Sequence, residues 1–303
     1  MKVLLIDVDS KIPNLALMKV SSYYKAQGKE VGFSVSDPTM IYCSIVFTKN
    51  RHKADGLKMY YPNAKIDIGG TGYDVYKKLP REIEECSPDY SIYPDCDRYI
   101  GFTSRGCIRN CPFCFVPRKE GKFYRLYDTV EEAMEKIVGN YPNIFKRIEL
   151  LDNNILSDKD WFMDVSQYII DHGWKVDFNQ GLDIRLLDDE IAKRIAELKP
   201  IVDWKFAFDN INYQEAVLKG IDTLNYNGVN VRSNCIFYVY CDGDHAFDDA
   251  VRRCRILKEH NALAYAMINP ECKFTTRIKQ LKRWTRPQIF WTIDIDQYKK
   301  VTA

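Results

Sequence analysis

Apolar positions along this chain fall into short runs divided by polar turns, and the period of the runs changes along its length. The opening "KVLLIDV" is a brief apolar run that predicts a strand. Residues 14–27 carry Leu15, Leu17, Met18, Tyr23 and Tyr24 on a helix that ends at Gly28. "EVGFSV", "MIYCSIVFT" and "AKIDIGG" predict further strands, each closed by turn or polar residues. Alternation of strand and helix predicts a small parallel sheet. A polar, proline-containing stretch over residues 79–97 reads as a linker.

Beyond it a regular rhythm sets in. Apolar strands begin at Tyr99 and near Lys146, Trp174, Val202, Val229 and Ala262; the middle four start about 28 residues apart, the length of one βα unit of a barrel. Amphipathic helices fill the gaps. Val130, Ala133, Met134, Ile137 and Val138 form one stripe behind an expected Asp128 N-cap, with Glu131 three residues on. Trp161, Phe162, Val165, Tyr168 and Ile169 form a second after Ser157, and Phe247, Ala250, Val251, Cys254 and Leu257 a third. The expected fold class is α/β: a partial (β/α)6 barrel over residues 98–303. A small Rossmann-like or flavodoxin-like domain with its linker precedes it, over residues 1–97.

Composition agrees with a chain able to bury a core: 303 residues, 46% hydrophobic, 28% charged, net charge +2. That charge neither demands nor excludes a nucleic-acid partner. No apolar run approaches the length of a membrane span. The start, broken by Asp7 and Asp9, reads as a strand and not as a signal peptide. Ten cysteines without a leader point to cytosolic thiols or metal ligands, and to a cytoplasmic protein.

The candidate chemistry lies just after the strand at Tyr99. In "GFTSRGCIRNCPFCFVPRKEG", Cys107, Cys111 and Cys114 are crowded onto one loop. Active-site groups of βα barrels sit on such loops at strand C-termini. Thiolates suit zinc, copper(I) or iron–sulfur clusters. Structural zinc needs four closed ligands, and no histidine lies near. Three thiolates on a cubane cluster leave one iron open to a cofactor or substrate.

The x3–x2 spacing, with Phe113 before the last cysteine, resembles the signature loop of radical S-adenosylmethionine (SAM) enzymes. The resemblance covers about residues 98–270. It implies a 4Fe-4S cluster on Cys107, Cys111 and Cys114 whose open iron chelates SAM. It implies reductive cleavage of SAM to a radical that acts on a substrate, and an external flavodoxin- or ferredoxin-like electron donor. "LLDNNILSDKDW" resembles the family's turn for the SAM amino group, which points to Asp152, Asn153 and Asn154. "DFNQGLDIR" resembles its Gly-and-Arg stretch, which points to Gln180 and Arg185. "FAFDN" adds Asp209, beside Asn210. For each the alternative is an ordinary polar strand-end residue. Cys235, Cys241, Cys254 and Cys272 lack a tight pair, so buried or idle thiols are expected there and not a second cluster.

The first segment resembles the cobalamin-binding-like α/β domain that often precedes such a barrel. The Asp-x-His-x-x-Gly signature is absent, and His52 is the only histidine before the barrel. Cobalamin bound without a protein histidine stays open, and Gly69, Gly70 and Gly72 otherwise serve a tight turn. Residues 273–286 hold six basic residues and no acid, with Phe274 and Trp284 interleaved. They read either as an RNA-gripping segment or as an amphipathic helix packed through Ile278, Leu281 and Trp284. The loop and the "VPRKEGKFYR" after it also resemble methylthiotransferases. Those carry three further cluster cysteines, whereas this chain has only Cys43, Cys86 and Cys96, differently spaced. The functions that remain are a radical SAM enzyme on an unidentified substrate, a cobalamin-dependent radical SAM methyltransferase, and a non-enzymatic iron–sulfur redox or nucleic-acid-binding module.

Overall fold

In the computed structural model, which describes residues 1–298, the opening apolar run becomes β1 (Lys2–Asp7). It leads into α1 (Leu15–Ala26), whose N-cap Asn14 accepts the Leu17 N–H. Next come β2 (Glu30–Gly32), β3 (Met40–Ser44), the short α2 (Leu57–Tyr60) and β4 (Lys65–Gly69). All pair parallel, in the order β2-β1-β3-β4. The strand expected over "MIYCSIVFT" stops at Ser44 for a local reason. The Asp9 carboxylate takes the N–H groups of Val46 (2.7 Å) and Phe47 (3.1 Å) and the Asn50 amide (2.8 Å). That diverts the backbone from the ladder into a 3-10 turn, Thr48–Ala54. "EVGFSV" stops early too, at Gly32; further on, Asp37 takes a left-handed conformation ahead of Pro38.

Chain packing defines two compact units, Met1–Asn153 and Asn154–Ala303. Residues 299–303, the end of the expected barrel segment, lie outside the described residues. The stretch expected as a linker is packed within the first unit. It holds α3 (Arg81–Glu84), and Ile83 joins Leu5, Leu17 and Tyr42 in one apolar cluster. Tyr90 is buried and donates to the Ile137 carbonyl at 2.7 Å. The unit continues through β5 (Tyr99–Gly101), β6 (Ser104–Arg105), α4 (Val116–Lys119), β7 (Tyr124–Arg125), α5 (Val130–Val138) and β8 (Arg147–Leu150). β5 pairs parallel with β8, and β6 antiparallel with β7. The cap of α5 is Thr129 and not Asp128: its hydroxyl accepts the Glu132 N–H at 3.2 Å.

The second unit repeats strand and helix: α6 (Lys159–Asp171), β9 (Lys175–Phe178), α7 (Asp189–Glu197), β10 (Lys199–Pro200), β11 (Trp204–Ala207), α8 (Gln214–Tyr226), α9 (Val231–Asn234), β12 (Cys235–Cys241), α10 (Phe247–Glu259), β13 (Leu263–Ile268), α11 (Thr276–Trp284) and α12 (Pro287–Phe290). β9 pairs parallel with β10, and β11, β12 and β13 form a parallel sheet in that order. The strand expected from Val229 starts six residues later. The Asn230 side chain accepts the Ser233 N–H, and the resulting turn is helical. Trp161, Phe162, Phe206, Phe237 and Trp284 are buried in this unit. The architecture is therefore α/β with parallel sheets. No helix among the described residues is long and apolar enough to cross a membrane.

Candidate functional site

The cysteine loop is closed at its base by the β6–β7 ladder, with Ser104 opposite Arg125 and Arg105 opposite Tyr124. Gly106 then turns the chain with φ of +73°, and a Cβ there would run into the Lys122 carbonyl. Only glycine meets both demands. The Cys107 N–H donates to the Gly121 carbonyl at 3.3 Å, fastening the first cysteine to the far side of the loop. Within the loop the Cys114 N–H donates to the Cys111 carbonyl at 3.0 Å.

Two backbone amides aim at sulfur. The Arg109 N–H reaches Cys107 Sγ at 3.3 Å, and the Val116 N–H reaches Cys114 Sγ at 3.4 Å. The Val116 donor pulls Cys114 toward the thiolate, the form that ligates metal. Burial pushes the Cys114 thiol up, with the neighbouring Cys111 and Cys107 adding to it, while Val116 and Arg118 pull it down. All three cysteines are half-buried. Among the described residues no three His, Cys, Asp or Glu side chains are gathered at metal-ligating positions. The donor set itself, three soft sulfurs on one loop with two amides turned toward them, fits a thiolate-bound cluster.

Asp152 and Asn153, at the end of β8, hold the lead-in to this loop. Asp152 Oδ1 accepts from the Thr103 and Ser104 hydroxyls (2.7 and 2.5 Å) and from their N–H groups (3.2 and 2.6 Å). Oδ2 accepts the Thr103 N–H at 3.2 Å. Burial pushes the Asp152 carboxyl above its ordinary range, against the pull of these donors. Asn153 Oδ1 accepts the Gly106 N–H at 3.0 Å. Consecutive residues of one strand end thus fix residues 103–106, and with them the position of Cys107.

The other expected cofactor residues belong to the second unit. Asn154 donates to Asp183 at 3.5 Å. Arg185 forks onto Asp183 through Nε (2.6 Å) and Nη2 (2.9 Å) and lies 4.5 Å from the centre of the Tyr213 ring. Asp209 Oδ1 accepts the Tyr240 N–H at 2.9 Å; burial pushes its carboxyl up, while Tyr240, Arg253 and Arg185 pull it down. Asn154, Arg185 and Asp209 thus share one polar cluster at strand ends. Gln180 is exposed and bonds only its neighbour Asn179 among the hydrogen bonds described.

Three members of that cluster were not singled out from sequence: Asp183, Tyr213 and Arg253. Arg253 is buried and donates to the Phe208 (2.6 Å) and Tyr240 (2.9 Å) carbonyls, bracing two strand ends. A signal for it existed, since an arginine sits beside the apolar stripe Ala250, Cys254, Leu257. Cys235, Cys241 and Cys254 are buried in the same unit, and burial pushes Cys235 and Cys254 up to about 12. Such thiols stay neutral and pack as apolar groups. Ile278, Leu281 and Trp284 are also buried, so the basic segment is an amphipathic helix as weighed above.

No family model matches the chain. A stretch of 119 residues, 36% of this chain, is 29% identical to a curated protein of Pyrococcus horikoshii described as an uncharacterized methyltransferase. The matched stretch spans 26% of that protein, so this chain resembles about a quarter of a methyltransferase whose own substrate its name does not give.

Proposed function

We propose that this chain is a radical SAM enzyme acting in methyl transfer. The observation that carries the reading is the thiol loop, held at the end of β5 by Asp152 and Asn153 and closed by the β6–β7 ladder. Cys107, Cys111 and Cys114 would hold a 4Fe-4S cluster, which when loaded supplies an electron to cleave SAM bound at its open iron. The chain's own part is positional. Thr103, Ser104 and Gly106 present the first cysteine, and the amides of Arg109 and Val116 donate to the sulfurs of the first and last. In the second unit the Asn154–Asp183–Arg185 group and Asp209 gather polar and charged side chains at strand ends. The reading carries with it a partial (β/α)6 barrel, supported by the parallel strands and helices after residue 98, and an external one-electron donor.

A second reading, cobalamin-dependent methyl transfer, is favoured by the partial likeness to a methyltransferase. The residues present do not fit a nitrogen-ligated cobalamin. His52, the one histidine of the first unit, is exposed on the 3-10 turn, and the ends of β3 and β4 carry Ser44 and Gly69. We derive no step through that cofactor.

Anaerobic reconstitution, followed by incubation with SAM and dithionite, tests the first reading. We expect about four irons per chain and formation of methionine and 5'-deoxyadenosine. The variant with Cys107, Cys111 and Cys114 all changed to alanine should have neither. S-adenosylhomocysteine formed by that triple variant at the native rate would assign the methyl transfer to ordinary, cluster-free chemistry.

A further inference from the structure

The first unit contains a cavity of about 500 Å3 that no part of the preceding reading uses. Its floor is the carboxyl end of the parallel sheet: Cys43 and Ser44 of β3, Gly69 of β4 and Gly70 just after it. Strand order reverses between β1 and β3, and open parallel sheets bind ligands in the crevice outside the strand C-termini at such a reversal. Val20, Tyr42, Leu79, Phe102 and Leu126 give the cavity an apolar wall. The volume is that of a small-molecule site.

Cations crowd one side. Six cations line the cavity, Lys19, Lys77, Lys78, Arg81, Arg105 and Lys119, with four carboxylates, Asp67, Glu84, Glu85 and Glu120. All four carboxylates are engaged: Lys77 pairs with Asp67 and Arg81 with Glu85. Glu84 Oε1 takes Lys19 (2.8 Å) and Arg105 (3.2 Å), and Glu120 takes Arg105 at 3.1 Å. Arg105 is further held with its guanidinium 3.5 Å from the centre of the Phe102 ring. Lys119 is left with the Thr71 hydroxyl at 3.0 Å, and no carboxylate among the described residues is paired with it. Six cations against four carboxylates leave two positive charges in surplus, and among the described residues Lys78 and Lys119 are the lining cations with no carboxylate paired to them. Burial lowers the Lys119 and Lys19 ammonium groups from their ordinary values, so the surplus charge sits where water serves it poorly. On the floor Asp67 is taken up by Lys77, and burial, with Asp7 and Asp9, pushes the Cys43 thiol up to about 11.

We infer that this cavity binds a small organic anion, with its carboxylate or phosphate head on Lys119 and its apolar body against Phe102, Tyr42 and Leu126. The anion supplies the charge that the four lining carboxylates cannot, and the apolar wall selects against a bare inorganic ion. The site does not depend on the cysteine loop being loaded, so it stands or falls apart from the radical SAM reading.

The test is calorimetric titration of the full chain, purified anaerobically, with hydrocinnamate, phenyl phosphate and the neutral hydrocinnamyl alcohol. At least one anion should bind about ten- to a hundredfold more tightly than the alcohol, the worth of one charge-assisted hydrogen bond. The better of the two identifies the head group. Lys119→Gln should remove that preference while still binding the alcohol, which shows that the cavity is intact, and Lys119→Arg should restore it. The inference is overturned if neither anion binds, if the alcohol binds as tightly as both, or if Lys119→Gln leaves the anion affinity at the native value.

Discussion

Replacing Asp152 tests whether a strand-end carboxylate serves the loop or a ligand. Its carboxylate sits against Thr103 and Ser104, which are 0% and 1% exposed. Asp152→Ala takes the charged acceptor from two backbone N–H groups and two hydroxyls. The hydroxyls rotate to other acceptors; the amides do not. A buried donor left unmade costs about 1–3 kcal/mol, so two cost about 2–6 kcal/mol. Asp152→Asn is gentler. Oδ1 carries four of the five contacts and is kept, while an NH2 replaces Oδ2 and meets the Thr103 N–H donor to donor. The Thr103 N–H keeps Oδ1 at 3.2 Å, so the cost stays below the roughly 1–3 kcal/mol of a donor left wholly unmade.

Hydrogen exchange followed by mass spectrometry over residues 99–106 reads this directly, because local opening is measured there whatever the stability of the rest. Exchange at Thr103 and Ser104 should quicken by about thirtyfold or more in the alanine variant, and by a smaller factor in the asparagine variant. Iron uptake on reconstitution should fall in the same order, since Ser104 precedes Cys107 by three residues. Native exchange in Asp152→Ala, or equal effects of the two substitutions, would refute the assignment of Asp152 to the loop.

Further expectations come from other parts of the chain. Gly106→Ala should cost more than the roughly 1–2 kcal/mol of a left-handed residue, because the new Cβ meets the Lys122 carbonyl; faster tryptic cleavage at Arg105 and Lys122 checks it, and native cleavage rates count against it. Asp89 is buried, and Lys25, Ser91, Ser21 and Tyr141 outweigh burial to hold its carboxyl below the ordinary range. The stabilisation from such a group is present above about pH 4 and lost as pH falls. Asp89→Asn should therefore lower the melting temperature at neutral pH and converge with native protein in acid; a gap that widens in acid would contradict this. Leu281 is 0% exposed, so Leu281→Ala should cost about 2–5 kcal/mol. Changing exposed Lys279, Lys282 and Arg283 together to glutamine should leave melting unchanged, and salt-dependent RNA retention lost in that variant alone would give the segment a binding role as well.

Legibility from sequence followed the range of the forces. Period alone located the parallel strands, because burying one face of a helix or both faces of a strand fixes the spacing of apolar residues over a dozen positions. Element ends were set by single side chains whose partners lie elsewhere. Nothing in "MIYCSIVFT" tells that Asp9, more than thirty residues upstream, collects the Val46 and Phe47 amides and stops the strand. Thr129 displaced Asp128 as a cap because either side chain can accept at that position, and the backbone of the preceding loop chooses between them. Residues 79–97 looked like a linker by composition, yet Ile83 and Tyr90 are enough to bind them into the unit.

The site shows the same division. The placing of Cys107, Cys111 and Cys114 on one loop was legible because loop spacing is local. Asp152 and Asn153 were legible as functional-looking polar residues at a strand end, but sequence could not say toward what they turn. A strand C-terminus presents its side chains to whatever approaches it, a ligand in one case and a neighbouring loop in another. Here the two readings meet at one place. By gripping Thr103 and Ser104, with Asn153 holding Gly106, Asp152 helps to fix the first of the thiols that would bind the cluster, so a side chain spent on its own backbone still governs chemistry a few residues away. That is why the asparagine and alanine substitutions separate the two roles: a ligand contact depends on the charge, whereas the grip on the loop depends chiefly on an oxygen that asparagine retains.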